Sequence, residues 1–108
     1  MIKSIVVAHR KPGMTRAEFS DYWKNWHGPL AARLIPGIRR YVQNHVVEIP
    51  GMEYEGDGVV EMWYDDVEAW KKSIEAVRNS KELTEDGDKF CDLRDARVWI
   101  VEEHVIVP

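Results

Sequence analysis

Ile2 to Arg10 is β-branched and apolar until Lys11-Pro12-Gly13 breaks the run, which predicts a first strand and a turn. Thr15 followed by Glu18 has capping-box spacing and places a helix start at Thr15. Phe19, Trp23 and Trp26 then recur at i, i+4 and i+7 with Tyr22 beside them, an amphipathic helix with an aromatic stripe. Gly28-Pro29 is expected to end the regular part of this helix, leaving His27 at its end, with Leu30 to Leu34 as a further turn before Pro36-Gly37. Ile38 to Ile49 alternates, Ile38, Arg40, Val42, Asn44 and Val46 against Arg39, Tyr41, Gln43, His45 and Val47, which predicts a long second strand. Val59 to Tyr64 is a third, with Val60, Met62 and Tyr64 opposed to Val59, Glu61 and Trp63. Asp65 and Glu68 repeat the capping-box spacing ahead of a stripe of Val67, Trp70, Ile74 and Val77. Ser80 to Phe90 predicts a shorter, more polar helix, and Ala96 to Val107 a fourth strand.

The order is strand, helix, strand, strand, helix with a short extra helix, strand. That is an α+β domain with the split β-α-β arrangement of a ferredoxin-like fold, and residues 1–108 are read as one such domain. Its helices are expected to cover one face of a four-stranded antiparallel sheet. Aromatic residues on the other face should not stay in water. A homodimer with the two sheets face to face would bury them and enclose a cavity within reach of His27. Val42 and Val46 suit the helix-covered core, which assigns Tyr41, Gln43 and His45 to the cavity side together with Glu61, Trp63 and Trp99. Trp23, Trp26 and Trp70 are expected in the core.

Composition narrows the partners. A net charge of -4 argues against nucleic acid, since phosphate binding needs clustered lysine and arginine. Cys91 is alone, which excludes an intrachain disulfide and fits a reducing cytoplasm. No apolar run approaches the roughly 18 residues of a membrane span, and the first one is too short for a signal sequence, so a soluble cytoplasmic protein is expected. There is no Gly-rich phosphate loop, the four histidines lack His-x-x-x-His or Glu-x-x-His spacing, and Ser4, Ser20, Ser73 and Ser80 sit in no nucleophile-elbow context. No cofactor and no metal are therefore expected.

His27 is the leading candidate for chemistry, because histidine can take and return a proton at physiological pH. The same position also suits a helix cap bonding a free carbonyl. Tyr41, Gln43 and His45 could orient a polar substrate and stabilise oxyanion charge, or form a hydrogen-bonded dimer interface. Glu61 beside Trp63 reads as a base or as the ion-pair partner of Arg39 or Arg97. His9, closing the first strand on the side of Ile5 and Val7, lies at the cavity mouth or in solvent. Trp63 and Trp99 would wall a pocket for a flat substrate. His104 has no supporting context.

His9-Arg10-Lys11-Pro12-Gly13-Met14-Thr15 before a helix, Tyr22-Trp23, His27-Gly28-Pro29-Leu30-Ala31, Pro36-Gly37 through His45 and Asp57-Gly58 through Asp66 follow in an order that resembles the EthD family of the dimeric α/β-barrel superfamily. The likeness covers roughly residues 2 to 75. It implies a dimer and one of several chemistries, since relatives include cofactor-free quinone-forming monooxygenases, polyketide cyclases, and muconolactone-type isomerases and lyases. Lactone isomerases of the superfamily likewise place a working histidine at the end of the first helix. Some of these barrels bind haem, but the sequence around these histidines does not resemble theirs. The expectation is a small cofactor-independent enzyme acting on a hydrophobic aromatic, polyketide-like or lactone substrate by cyclisation, isomerisation or dehydration. Its rivals are a monooxygenase or its auxiliary protein in ether or aromatic degradation, and a non-catalytic hydrophobic-metabolite binding protein.

Overall fold

The computed structural model describes residues 1–92 and 97–108. Strands β1 (Ile2–Ala8), β2 (Arg40–His45), β3 (Gly58–Tyr64) and β4 (Arg97–Val101) form one antiparallel sheet in the order β2-β3-β1-β4. Helices α1 (Arg16–Tyr22), α2 (Gly28–Leu34), α3 (Val67–Asn79) and α4 (Lys81–Asp88) accompany it, and a π-helical turn, Trp23–His27, joins α1 to α2. This is the expected ferredoxin-like α+β arrangement.

The helices that follow β1 and β3 are each capped by a side chain. Thr15 accepts from the Glu18 amide at 3.1 Å and the Glu18 carboxylate accepts from the Thr15 amide at 2.9 Å, the reciprocal pair that the spacing predicts. At α3 the cap is Asp66, which accepts from the Ala69 amide at 2.8 Å. Asp65, the expected cap, is instead held by Arg39 through two hydrogen bonds of 3.0 and 2.8 Å.

Gly28-Pro29 does not stop the first helix. Proline lacks an N–H and crowds the carbonyl four residues back, which an unbroken α-helix cannot absorb. The chain widens one turn ahead of it, so that the Gly28 amide reaches the Trp23 carbonyl five residues back. Pro29 then falls in the first turn of α2, where no N–H is required. The wider turn moves the next inward position from Trp26 to His27. Phe19 and Trp23 are buried as expected, but Trp26 is 64% exposed and lies outside the core.

Phe19, Trp23 and Phe90 form the centre of the core, with ring centroids 5.4 and 5.5 Å apart. Ala8 and Val60 of the sheet pack against them. The indole of Trp23 lies so close over Gly58 that a Cβ there would come within 2.5 Å of it. Tyr64 and Ser73, both buried, share a 2.9 Å hydrogen bond that fastens α3 to β3.

The faces of β2 are the reverse of those expected. Tyr41 pairs with Met62, Gln43 with Val60 and His45 with Gly58, and these β3 residues face the helices. Tyr41, Gln43 and His45 therefore lie under the helices, while Arg40, Val42 and Asn44 share the open face with Trp63, Glu61 and Val59. Polarity misleads here because the helix layer itself supplies hydrogen-bond partners. β2 and β4 are also shorter than their alternation predicts. Pairing ends at His45, where β3 begins with Gly58, and at Val101, opposite Lys3 near the start of β1. Val46 to Ile49 and Glu102 to Val107 are not strand, and the expected strand start at Ala96 lies outside the described residues.

Candidate functional site

A cavity of about 130 Å³ lies between the sheet and the helices. Val6, Ala8, Val60 and Met62 form its sheet wall, with Tyr41 beside them, and Trp23, His27 and Phe90 close it from above. It sits within the chain itself, whereas the sequence predicts a cavity between two sheets.

His27 enters this cavity because the π turn rotates it inward. Its Nδ1 lies 2.8 Å from Oδ2 of Asp86 on α4, and its ring packs on Phe90 at 4.7 Å. The other carboxylate oxygen of Asp86 accepts from the Tyr22 hydroxyl at 2.6 Å, and Lys89 stands 3.7 Å away. Burial pushes the Asp86 carboxyl upward, but the hydrogen bonds of Tyr22 and His27 and the nearby positive charge outweigh it, and the group ends below the usual carboxylate range. An ionised carboxylate accepts hydrogen bonds and cannot donate, so the proton of a neutral His27 ring sits on Nδ1. Nε2, on the opposite edge, keeps its lone pair. No helix-capping bond is made by the His27 side chain. The Tyr22 hydroxyl is pushed up to about 12 by burial and then by Asp86, so it stays protonated as a donor.

Behind the cavity wall, the Gln43 amide nitrogen bonds to both the Trp23 carbonyl and the Tyr41 hydroxyl at 3.0 Å, and its oxygen lies 2.8 Å from His45 Nε2. His45 stacks on Trp23 at 4.6 Å. Burial, then Lys24, hold its imidazole below the ordinary histidine range. A Cβ at Gly28 would lie 2.5 Å from the Gln43 amide nitrogen, so only glycine lets Gln43 reach the helix backbone. Burial raises Tyr41 against the opposing hydrogen bonds of Gln43 and Trp23. Cys91 also lines the cavity, but burial, then Asp57, push its thiol up to about 12, which makes it an apolar wall.

His9 borders this cavity and an adjoining polar cleft with Arg10, Arg16 and Asp57. There Asp57 accepts from the Arg10 amide at 2.9 Å, the Arg10 guanidinium at 3.1 Å and Arg16 at 3.0 Å, tying the end of β1 to the start of α1.

The remaining predicted residues are on the opposite face of the sheet. Glu61 pairs with Lys3 at 2.7 Å and accepts from Asn44 at 3.0 Å. These bonds, Lys3 first, hold its carboxyl below the usual range. The expected partners are engaged elsewhere, Arg39 with Asp65 and Arg97 with Glu55. Trp63 lies between the cations of Lys3 and Arg40, 5.0 and 4.7 Å from the ring. Trp99 is half exposed on the same face. Among the described residues His104 meets only Glu102, 3.4 Å away, and both side chains are exposed. Among the described residues no three His, Cys, Asp or Glu side chains converge to hold a metal ion.

Sequence reasoning missed Asp86. It is 59 residues from His27, in a helix read as merely polar, and no local spacing marks the pair.

Fold and site together define a ferredoxin-like α+β protein with a histidine–aspartate pair in a cleft between its sheet and its first helix. The EthD domain matches residues 11–94, and the chain belongs to that family. Among solved structures, an EthD family protein from Bacillus halodurans is 26% identical with a TM-score of 0.67, over 96% of this chain and 100% of that one. A dimeric ferredoxin-like protein from Bacteroides fragilis is 14% identical with a TM-score of 0.63, over 94% and 95% of the two chains. SnoaB, a cofactor-independent oxygenase from Streptomyces nogalater, is 11% identical with a TM-score of 0.61, over 99% and 96%. No curated protein matches the chain by sequence.

Proposed function

We propose that this protein is a small acid/base enzyme in which His27 Nε2 takes and returns a proton on a compact, largely apolar molecule held in the cleft, with no resident cofactor. The observation that carries this reading is the 2.8 Å contact between His27 Nδ1 and Asp86, with the imidazole on the cavity wall. An oriented imidazole beside an apolar pocket is the arrangement general acid/base catalysis requires. Aromatic and lactone compounds are the substrates this lining suits.

The test is turnover across a panel of phenols, quinones and lactones. His27→Gln should cut kcat/KM by roughly 10² to 10⁴-fold with the fold intact, and Asp86→Asn by roughly 10²-fold, because the ring then loses its fixed tautomer. Near-normal turnover in His27→Gln would dismiss the acid/base reading. Ligands that quench Trp23 fluorescence while no member of the panel yields product would replace it with a carrier.

The protein is also proposed to act as a homodimer through the open sheet face. Trp99, half exposed there, is a large apolar surface to leave in water, and the Bacteroides fragilis protein of the same fold is dimeric. Light scattering at micromolar concentration should give twice the chain mass, and Trp99→Glu should return it to one; a monomeric wild type refutes the dimer. No helix among the described residues is long and apolar enough to cross a membrane, and the lone, half-buried Cys91 suits a cytoplasmic setting.

A further inference from the structure

The hydrogen bonds behind the cavity wall determine which way the Tyr41 hydroxyl can act. The Trp23 carbonyl can accept and cannot donate, so Gln43 must turn its NH₂ toward it, 3.0 Å away. That orientation places the amide oxygen toward His45, whose Nε2 must carry a proton to meet it at 2.8 Å. The second N–H of the same NH₂ points to the Tyr41 oxygen at 3.0 Å. Tyr41 is therefore an acceptor from Gln43, and among the described residues no hydrogen bond is donated by its own O–H. The ring lines the same cavity as His27. Gly28 keeps the chain of bonds possible, because any side chain there would displace the Gln43 amide.

We infer that Tyr41 is a second catalytic residue, donating its O–H to the carbonyl oxygen of an enolisable ketone while His27 removes the neighbouring C–H proton. This rests on the acid/base reading of His27 and names its substrate class. The C–H bond breaks and its proton goes to Nε2. Its electron pair becomes the new C=C bond, and the carbonyl π pair moves onto oxygen, where the Tyr41 hydrogen bond stabilises it. Return of a proton from His27 to carbon regenerates the ketone, so no oxidant or other co-reactant is needed. The cavity of about 130 Å³ limits the reacting part to one ring, since an apolar cavity of about 150 Å³ takes a benzene-sized guest. Gln43 is a positioning residue, acting through Tyr41.

The experiment is deuterium incorporation at the α-carbons of cyclohexanone and 2-indanone in D₂O near neutral pH, followed by proton NMR. Wild type should accelerate exchange over buffer, and His27→Gln should abolish the acceleration. Tyr41→Phe, which keeps the ring, should lower kcat roughly 10²-fold with KM little changed, the loss typical of one oxyanion donor. Gln43→Met should lower kcat several-fold, again at constant KM, with an unchanged circular dichroism spectrum. If Tyr41→Phe exchanges as fast as wild type while His27→Gln is dead, the role of Tyr41 is overturned and the acid/base reading survives. If wild type accelerates neither ketone, the substrate class is overturned. If His27→Gln matches an active wild type, both fall together.

Discussion

The two faces of the sheet solve the burial of polar groups in different ways. Under the helices, Gln43, His45 and Tyr41 join a directed chain of hydrogen bonds that ends on a main-chain carbonyl. On the open side, Glu61 and Trp63 are held by cations, Lys3 pairing with the carboxylate at 2.7 Å and Lys3 and Arg40 flanking the indole. A chain of neutral donors and acceptors has a sense of direction, so it can aim one proton or one lone pair at a ligand. An ion pair beside an aromatic ring fixes position but is satisfied at both ends. The face that holds the proposed proton-transfer groups is accordingly the directed one, and the open face is suited to association.

The contrast can be broken first at the aromatic residues of the helix. Trp23→Ala removes a buried indole from the covered face and should cost about 3–5 kcal/mol in denaturant unfolding, whereas Trp26→Ala, on the same helix, should change stability by about 0.5 kcal/mol or less. Equal losses would show that the π turn does not set which indole faces inward. Gly28→Ala forces a methyl group into the Gln43 amide and should destabilise by about 1–3 kcal/mol. No loss would mean that Gln43 can let go of the helix without consequence. The smallest expected effect is electrostatic. The Glu61 carboxyl is held below its ordinary range, so its contribution is present above the unfolded-state value of about 4.3 and is lost as pH falls through the folded one. Unfolding free energy measured from pH 6 down to pH 3 should fall less steeply in Glu61→Gln than in wild type, by on the order of 1 kcal/mol; parallel curves would remove the pair from the account. Asp86, also held low, has the same sign, and its acid loss should persist in the Glu61 variant.

Element order and the helix junction at His27 were legible because period and capping spacing are local properties. The ladder of β1 and β3 puts Glu61 and Trp63 on the open face, in agreement with their alternation. The same alternation in β2 yields two equivalent sets, and the choice between them depends on which β3 residues lie opposite, which no local pattern contains. Polar character pointed the wrong way because the widened helix turn presents the Trp23 carbonyl to the sheet. Asp86 was illegible for a related reason, being brought to His27 by packing across 59 residues. Gly28-Pro29 marked the right place and the wrong event, a change of helix type where a stop was expected.

That turn makes the position of His27 a matter of winding number. The segment Trp23–His27 holds one residue more than an α-helical turn would need to span the same arc. Winding the same residues as a plain α-helix would swing the following side chains by about a quarter of a revolution and exchange an imidazole for an indole at the cleft. A frame of one amino acid, more than the identity of any neighbour, decides whether this helix turns a titratable ring or an inert wall toward the cleft.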